Sequence, residues 1–211
     1  MNLEAWFVGA TQRLAIMEVT EVPFHELTDW VVFVDGTARP VDIRHMSGQL
    51  YRGAAFKAFE PLRHKVVDRF LLTPCVPKGQ MNGVILLVRD SVGKFLVQAK
   101  AEPGNRTPGR MTLTATIQAS WSNLQQKLSG AIPFVELYDH PLTVKRGITQ
   151  DGGQFFEKVN EICFLLLPAD SAPLEIPENF TWATRGELAD FTTKGFVSEH
   201  LLQALGIMAV L

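Results

Sequence analysis

The chain has 211 residues, 46% of them hydrophobic, enough to bury a sizeable core without disulfide staples. Its 20 basic and 22 acidic residues give a formal charge of -2 with no basic block, so neither nucleic acid nor an anionic membrane is an expected partner. The 2 cysteines, Cys75 and Cys163, are far apart and outside any CxxC or ligand-spaced pattern, which argues against a disulfide framework or a zinc site and for a reducing compartment.

The N-terminal stretch MNLEAWFVGATQRLAIMEV is amphipathic and broken by charge, without the basic head and cleavage site of a signal peptide. No run approaches the roughly 18 apolar residues of a spanning helix, so a cytoplasmic protein is expected. Residues 1–17 read as a short helix and residues 25–34 as a second helix running into a strand. After the turn DGTARP, the segment VDIRHMSGQLYRGAAFKAF reads as strand, Ser-Gly turn, strand, with His45 beside the turn. The Pro- and Gly-rich stretch TPCVPKGQMNG reads as a loop.

From Val84 the pattern sharpens. VILLVRD reads as a buried strand, DSVG as a turn and KFLVQAKAE as the returning strand of a β-hairpin. Side chains alternate along a strand, so Gln98, Lys100 and Glu102 share one face while Phe95, Val97 and Ala99 share the other. The loop PGNRTPGR leads into MTLTATIQAS, which alternates strictly and reads as one strand with Thr112, Thr114, Thr116 and Gln118 on its polar face. Paired antiparallel, the two strands bring both polar faces onto one sheet surface. WSNLQQKLSG reads as one or two helical turns stopped by Gly130. FVELYDH reads as a strand, and QDGGQFFEKVNEICFLLLP as a long strand with a buried second half. Thr184 and Glu187 form a capping box, and Ser198 opens a helix whose apolar stripe is Leu201, Leu202, Leu205 and Met208. The expected fold is a single α+β domain over residues 1–211, built on a curved, mostly antiparallel sheet with flanking helices.

Each candidate site residue has a plainer reading beside the functional one. Lys100 and Glu102 form a solvated strand edge or, under a loop that opens with Pro103, Gly104 and Asn105, the floor of a pocket. His45 is either a surface histidine or an acid/base group poised near neutrality. Ser122 and Asn123 are helix caps or ligand contacts. Asp151, Gly152 and Gly153 are a hairpin loop or a turn that presents Gln154 and Lys158. GxGxxG, GxxxxGK, GxSxG and HExxH motifs are all absent, as is the REx₂E helix of metal-dependent Nudix hydrolases.

The segments FLVQAKAEPGN and TATIQASWSN resemble the NDP-hexose 2,3-dehydratase family of deoxysugar biosynthesis, whose pattern runs QAKxEPGN and then PTxQATxSN. IRHMSGQLYR, QDGGQFFEKVN and NFTWATRGELADF extend the resemblance over residues 40–208, leaving residues 1–39 as an extension packed on that unit. Trp121 stands where the family has arginine and Leu124 where it has tyrosine.

The resemblance implies a Nudix-like fold without the hydrolase box, with no metal and no cofactor. It implies a hydro-lyase that removes water across C2 and C3 of an NDP-4-keto-6-deoxyhexose, such as a dTDP-sugar, in secondary-metabolite, antibiotic or surface-glycan formation. The resemblance supports the location of the site; within it Glu102 is the leading candidate for proton transfer, His45 the second acid/base candidate, and Lys100 the cation at the enolate or diphosphate. Gln98, Asn105, Thr116, Gln118, Ser122, Asn123, Gln154 and Lys158 become substrate contacts. Family members carry two tandem units, so this single unit implies either a homodimer that restores the pair or a single-unit relative whose role has drifted. The rival readings are a related enzyme acting on a non-nucleotide small molecule and a non-catalytic sugar-nucleotide-binding accessory protein.

Overall fold

The computed structural model describes residues 2–13, 30–32, 37–41, 51–60, 65–74, 83–101, 110–124, 132–150 and 159–209. The protein is α+β. After helix α1 (Leu3–Arg13) comes an antiparallel four-stranded sheet, β1 (Trp30–Val32), β2 (Thr37–Pro40), β3 (Tyr51–Glu60) and β4 (Lys65–Pro74), in sequence order. Strands β3 and β4 pair from Tyr51 opposite Pro74 to Glu60 opposite Lys65. The expected strand before the Ser-Gly turn and the helix over 25–29 lie outside the described residues. The strand β4 is an addition to the elements expected from sequence.

A second, seven-stranded sheet holds the rest. Its strands are β5 (Gly83–Arg89), β6 (Phe95–Ala101), β7 (Met111–Thr114), β8 (Ile117–Ser120), β9 (Val144–Gln150), β10 (Val159–Leu166) and β11 (Phe180–Ala183). The path runs β11-β6-β5-β10-β9, with β7 paired to β6 and β8 to β5. The hairpin β5–β6 forms as its turn chemistry predicts: Asp90 accepts from the Val92 and Lys94 amides, and Gly93 takes φ 92. The sheet is mixed, because β5 pairs in parallel with β10 along its whole length. Residues 83–88 of β5 are all buried, which is why its sequence is apolar without alternation.

Two apolar cores flank this sheet. One contains Ile85, Leu87, Phe95, Val97, Leu113 and Ile162, and it is covered by α1 together with α3 (Arg185–Thr193) and α4 (Glu199–Met208). Phe7 of α1 meets the rings of Phe191 and Phe196 at 5.3 Å between centroids. The other contains Leu86, Leu96, Ile117, Cys163, Leu165 and Phe180 and is covered by residues 134–138. Helix α3 carries the predicted capping box in full, with Thr184 and Glu187 exchanging hydrogen bonds. Ser198 caps α4 through the Leu201 amide; Leu201 is buried but Leu202, placed in the stripe from sequence, is 38% exposed.

Two expected strands are corrected. MTLTATIQAS is two strands, β7 and β8, because β5 and β6 pair only at Val88–Leu96 and Arg89–Phe95 and then diverge. The segment fills the fork, joining β6 first and β5 second. FVELYDH contains a 3-10 helix (Val135–Asp139) entered through Phe134 at φ 64. Its buried residues, Phe134, Leu137 and Tyr138, follow a helical spacing that a short apolar run conceals.

Candidate functional site at one end of the mixed sheet

The described ends of three motif segments, FLVQAKAEPGN, TATIQASWSN and QDGGQFFEKVN, meet topologically. At one end of the seven-stranded sheet Ala101 faces Met111, Ser120 faces Gly83, Gly83 faces Asn160 and Asn160 faces Thr149. Glu102 directly follows this row in sequence, Trp121 to Asn123 follow Ser120, and Lys158 directly precedes β10. The close approach of strands here requires Gly83: a Cβ on it would lie 2.8 Å from both the Ala119 carbonyl oxygen and Asn160 Oδ1.

Of the residues expected at the site, His45, Glu102, Asn105, Gln154 and Lys158 lie outside the described residues, and Ser122 is described as backbone of α2 (Trp121–Leu124). The other five are placed. Gln98 and Lys100 are half-buried and face Thr114 and Thr112 across the β6–β7 ladder. Those two threonine hydroxyls donate to the Gln98 and Lys100 carbonyl oxygens, each at 3.4 Å. Lys100 Nζ donates to the Gln118 carbonyl oxygen at 3.4 Å, which ties β6 to β8 across the fork.

Thr116 is 1% exposed, and its hydroxyl accepts from the Val88 amide at 3.0 Å while donating to the Leu96 carbonyl at 2.6 Å. It replaces the ladder at the point where β5 and β6 separate. The alternation shifts there. Leu113 and Ala115 belong to the α1-side core, but Ile117 belongs to the opposite one. Gln118 pairs with Ile85, so its side chain lies on the face opposite Lys100, not beside it as strict alternation predicts. Asn123 is at the third position of α2, and its amide donates to Ser120 Oγ at 3.4 Å, so Ser120 rather than Ser122 or Asn123 caps this helix. The Asn123 Oδ1 is buried with no donor among the described residues.

Two groups were not singled out from sequence. Asn160, 3% exposed, contacts His200 Nε2 at 3.4 Å on the α4 side of the sheet. On the other face, the Tyr138 hydroxyl donates to Glu161 Oε2 at 2.6 Å and accepts from Lys145 Nζ at 2.7 Å. Cys163 Sγ also reaches Glu161, at 3.5 Å. Burial and the Glu161 hydrogen bond push the Tyr138 phenol up to about 12. Burial and Glu161 likewise push the Cys163 thiol up to about 12. The bond to Tyr138 raises Lys145. These residues meet only through folding, since Tyr138, Lys145 and Glu161 come from three elements.

Two surface grooves, of about 540 Å³ and about 490 Å³, lie at the hairpin end of β5 and β6. Their linings include Arg89 and Leu166 in one and Trp6 and Trp182 in the other, and no residue expected at the site.

The sequence matches the family model described as NDP-hexose 2,3-dehydratase over residues 1–204. It is 28% identical over 201 residues to a dTDP-4-dehydro-6-deoxy-alpha-D-glucopyranose 2,3-dehydratase of Streptomyces violaceoruber, covering 90% of this chain and 42% of that protein. To the enzyme of the same name from Amycolatopsis orientalis it is 26% identical over 201 residues, covering 90% of this chain and 40% of that one. The chain thus spans about 40% of the length of these relatives. With a family match that runs from α1 through the fork into α4, the chain belongs to the NDP-hexose 2,3-dehydratase family.

Proposed function

We propose that the chain acts as a hydro-lyase on an NDP-4-keto-6-deoxyhexose, in deoxysugar biosynthesis, removing water across C2 and C3. The observation that carries this reading is the meeting of three of the segments that carry the resemblance at one end of the mixed sheet, where Lys100 is anchored across the fork. In the reaction the C4 ketone acidifies the C3 proton and a general base removes it. The enolate then expels the C2 hydroxyl, which takes up a proton and leaves as water. Glu102 is assigned the C3 proton, His45 the departing hydroxyl, and Lys100 the enolate charge. Gln98, Asn105, Ser122, Asn123, Gln154 and Lys158 are assigned to the sugar nucleotide.

Thr116 and Gln118 are reassigned. Both bonds of the Thr116 hydroxyl serve the strands, and Gln118 meets Lys100 through its carbonyl, so both position the site rather than touch the sugar.

Nudix-like geometry, a cytoplasmic location and a role in antibiotic or other secondary metabolism are carried over as parts of the same proposal. A homodimer belongs to the same proposal; light scattering on the purified chain tests it. The second reading is an accessory chain that binds the sugar nucleotide without turning it over.

The deciding experiment is incubation with dTDP-4-keto-6-deoxyglucose, following loss of one water from the sugar by mass spectrometry and the unfolding temperature alongside. Turnover is expected in the wild type, and Glu102→Gln is expected to lower kcat by about 10²–10⁴-fold. Stabilisation without water loss would replace the lyase with the accessory reading.

A further inference from the structure

We propose that Lys145 is a prepositioned cation for the diphosphate of a nucleoside-diphosphate ligand, with Tyr138 and Glu161 holding its ammonium in place. The inference rests on the sugar-nucleotide reading above and assigns the anion subsite of that ligand.

A lysine on an exposed edge strand ordinarily disperses over many rotamers. Lys145 does not have that freedom. Its Nζ donates to the Tyr138 hydroxyl at 2.7 Å and sits 3.9 Å from the Tyr138 ring centroid. The hydroxyl is itself fixed by Glu161 at 2.6 Å. The ammonium side is open and the carboxylate side closed, with side-chain exposures of 47% for Lys145 and 13% for Glu161. Glu161 is 3.9 Å from Nζ, which attracts the charge without taking a close hydrogen bond. An ammonium carries three donors. Among the described residues Tyr138 alone accepts one at hydrogen-bond distance, on a side chain that is half exposed and whose ordering entropy is already spent. The Tyr138 bond also raises the lysine's proton affinity, so the group is a fixed cation rather than a proton donor.

The surroundings fit a nucleotide. Trp121, at the start of α2 in the motif segment, packs edge-on against the Tyr138 ring at 6.0 Å and remains partly exposed. An aromatic ring and a pinned cation therefore both pack against one tyrosine, the combination that a base with its phosphates requires. Lys145 pairs with Cys163, which belongs to the same core face as Leu96, so it shares a sheet face with Lys100. Two cations on that face divide between diphosphate and sugar.

The test is calorimetric binding of dTDP, inorganic pyrophosphate and thymidine to the full chain, with K145M, K145R and Y138F. The wild type is expected to bind dTDP and pyrophosphate with affinity that falls as salt rises. K145M should weaken dTDP by about tenfold or more, K145R should recover part of the loss, and Y138F should weaken it by a smaller factor. Thymidine affinity should not change in K145M. Equal dTDP affinity in K145M and wild type would overturn the proposal, as would a wild type that binds neither anion. A wild type that binds dTDP through Lys145 yet removes no water from the sugar would overturn the lyase reading and leave this one standing.

Discussion

Thr116 shows how one hydroxyl can substitute for a ladder. At Val88 and Leu96, the last pair before β5 and β6 part, the Val88 amide and the Leu96 carbonyl both bond the same buried oxygen. Replacement by valine keeps the volume but strands two buried backbone groups, each costing about 1–3 kcal/mol. T116V is therefore expected to lose about 2 kcal/mol or more in urea unfolding, whereas T116S keeps most of the stability. Unchanged stability in T116V would show that water replaces the hydroxyl. The sequence presents Thr116 as one more member of an alternating row, since Thr112, Thr114 and Thr116 occupy equivalent positions in the pattern. Only the register reveals that the row changes partners after Ala115 and turns Gln118 to the other face.

At the scale of elements, the strand fork depends on close approach at Gly83. An added methyl would meet a backbone oxygen and the Asn160 side chain, at 2.8 Å each, so β8 or β10 must move. Gly83→Ala is expected to destabilise the fold by about 1–3 kcal/mol, measured by denaturant unfolding, and to weaken dTDP binding through the displacement of α2. A variant as stable as wild type would show that this end of the sheet yields freely. The hairpin, the α3 capping box and the Ser198 cap were legible because their signals are local, within a few residues of one another. Strand β9 escaped because it is an edge strand whose described side chains, Val144, Lys145 and Arg146, are all exposed and show no apolar alternation. The segment around Tyr138 was misread because a helical spacing over five residues looks like any apolar run.

For the molecule as a whole, the buried cluster sets how stability responds to alkali. In the unfolded chain a thiol loses its proton near about 8.5 and a phenol near about 10. In the fold Cys163 and Tyr138 hold theirs to about 12. Above about pH 8.5 the unfolded state therefore binds fewer protons than the native state, and stability falls as pH rises. Lys145, also raised, acts with the same sign: its contribution is present below its unfolded pKa and lost as pH climbs through the folded one. The urea midpoint is expected to drop between pH 8 and pH 10, and Cys163→Ala should flatten the early part of that drop. A midpoint that rises over this range would contradict the burial of the cluster.

The same scale marks the limit of what was legible about the site. The motif around Lys100 points to one end of the seven-stranded sheet as the candidate site. The assembly of Tyr138, Lys145 and Glu161 was invisible, because no spacing rule connects a 3-10 helix to two strands that follow it.

The parallel pairing of β5 with β10 also fixes an order of events during synthesis. The β5–β6 hairpin can close as soon as it leaves the ribosome, and β7 and β8 then fill its fork from the adjoining chain. The remaining edge of β5 has to wait for Asn160 to Leu166, much further along, before its amides and carbonyls find partners. Such long-range closure is slow, and an unmatched apolar strand edge invites pairing with other chains. The nascent protein thus passes through an interval in which its most apolar strand is half-paired, so its yield in a cell is governed by how quickly translation reaches Leu166 or how well a chaperone shields the gap until then.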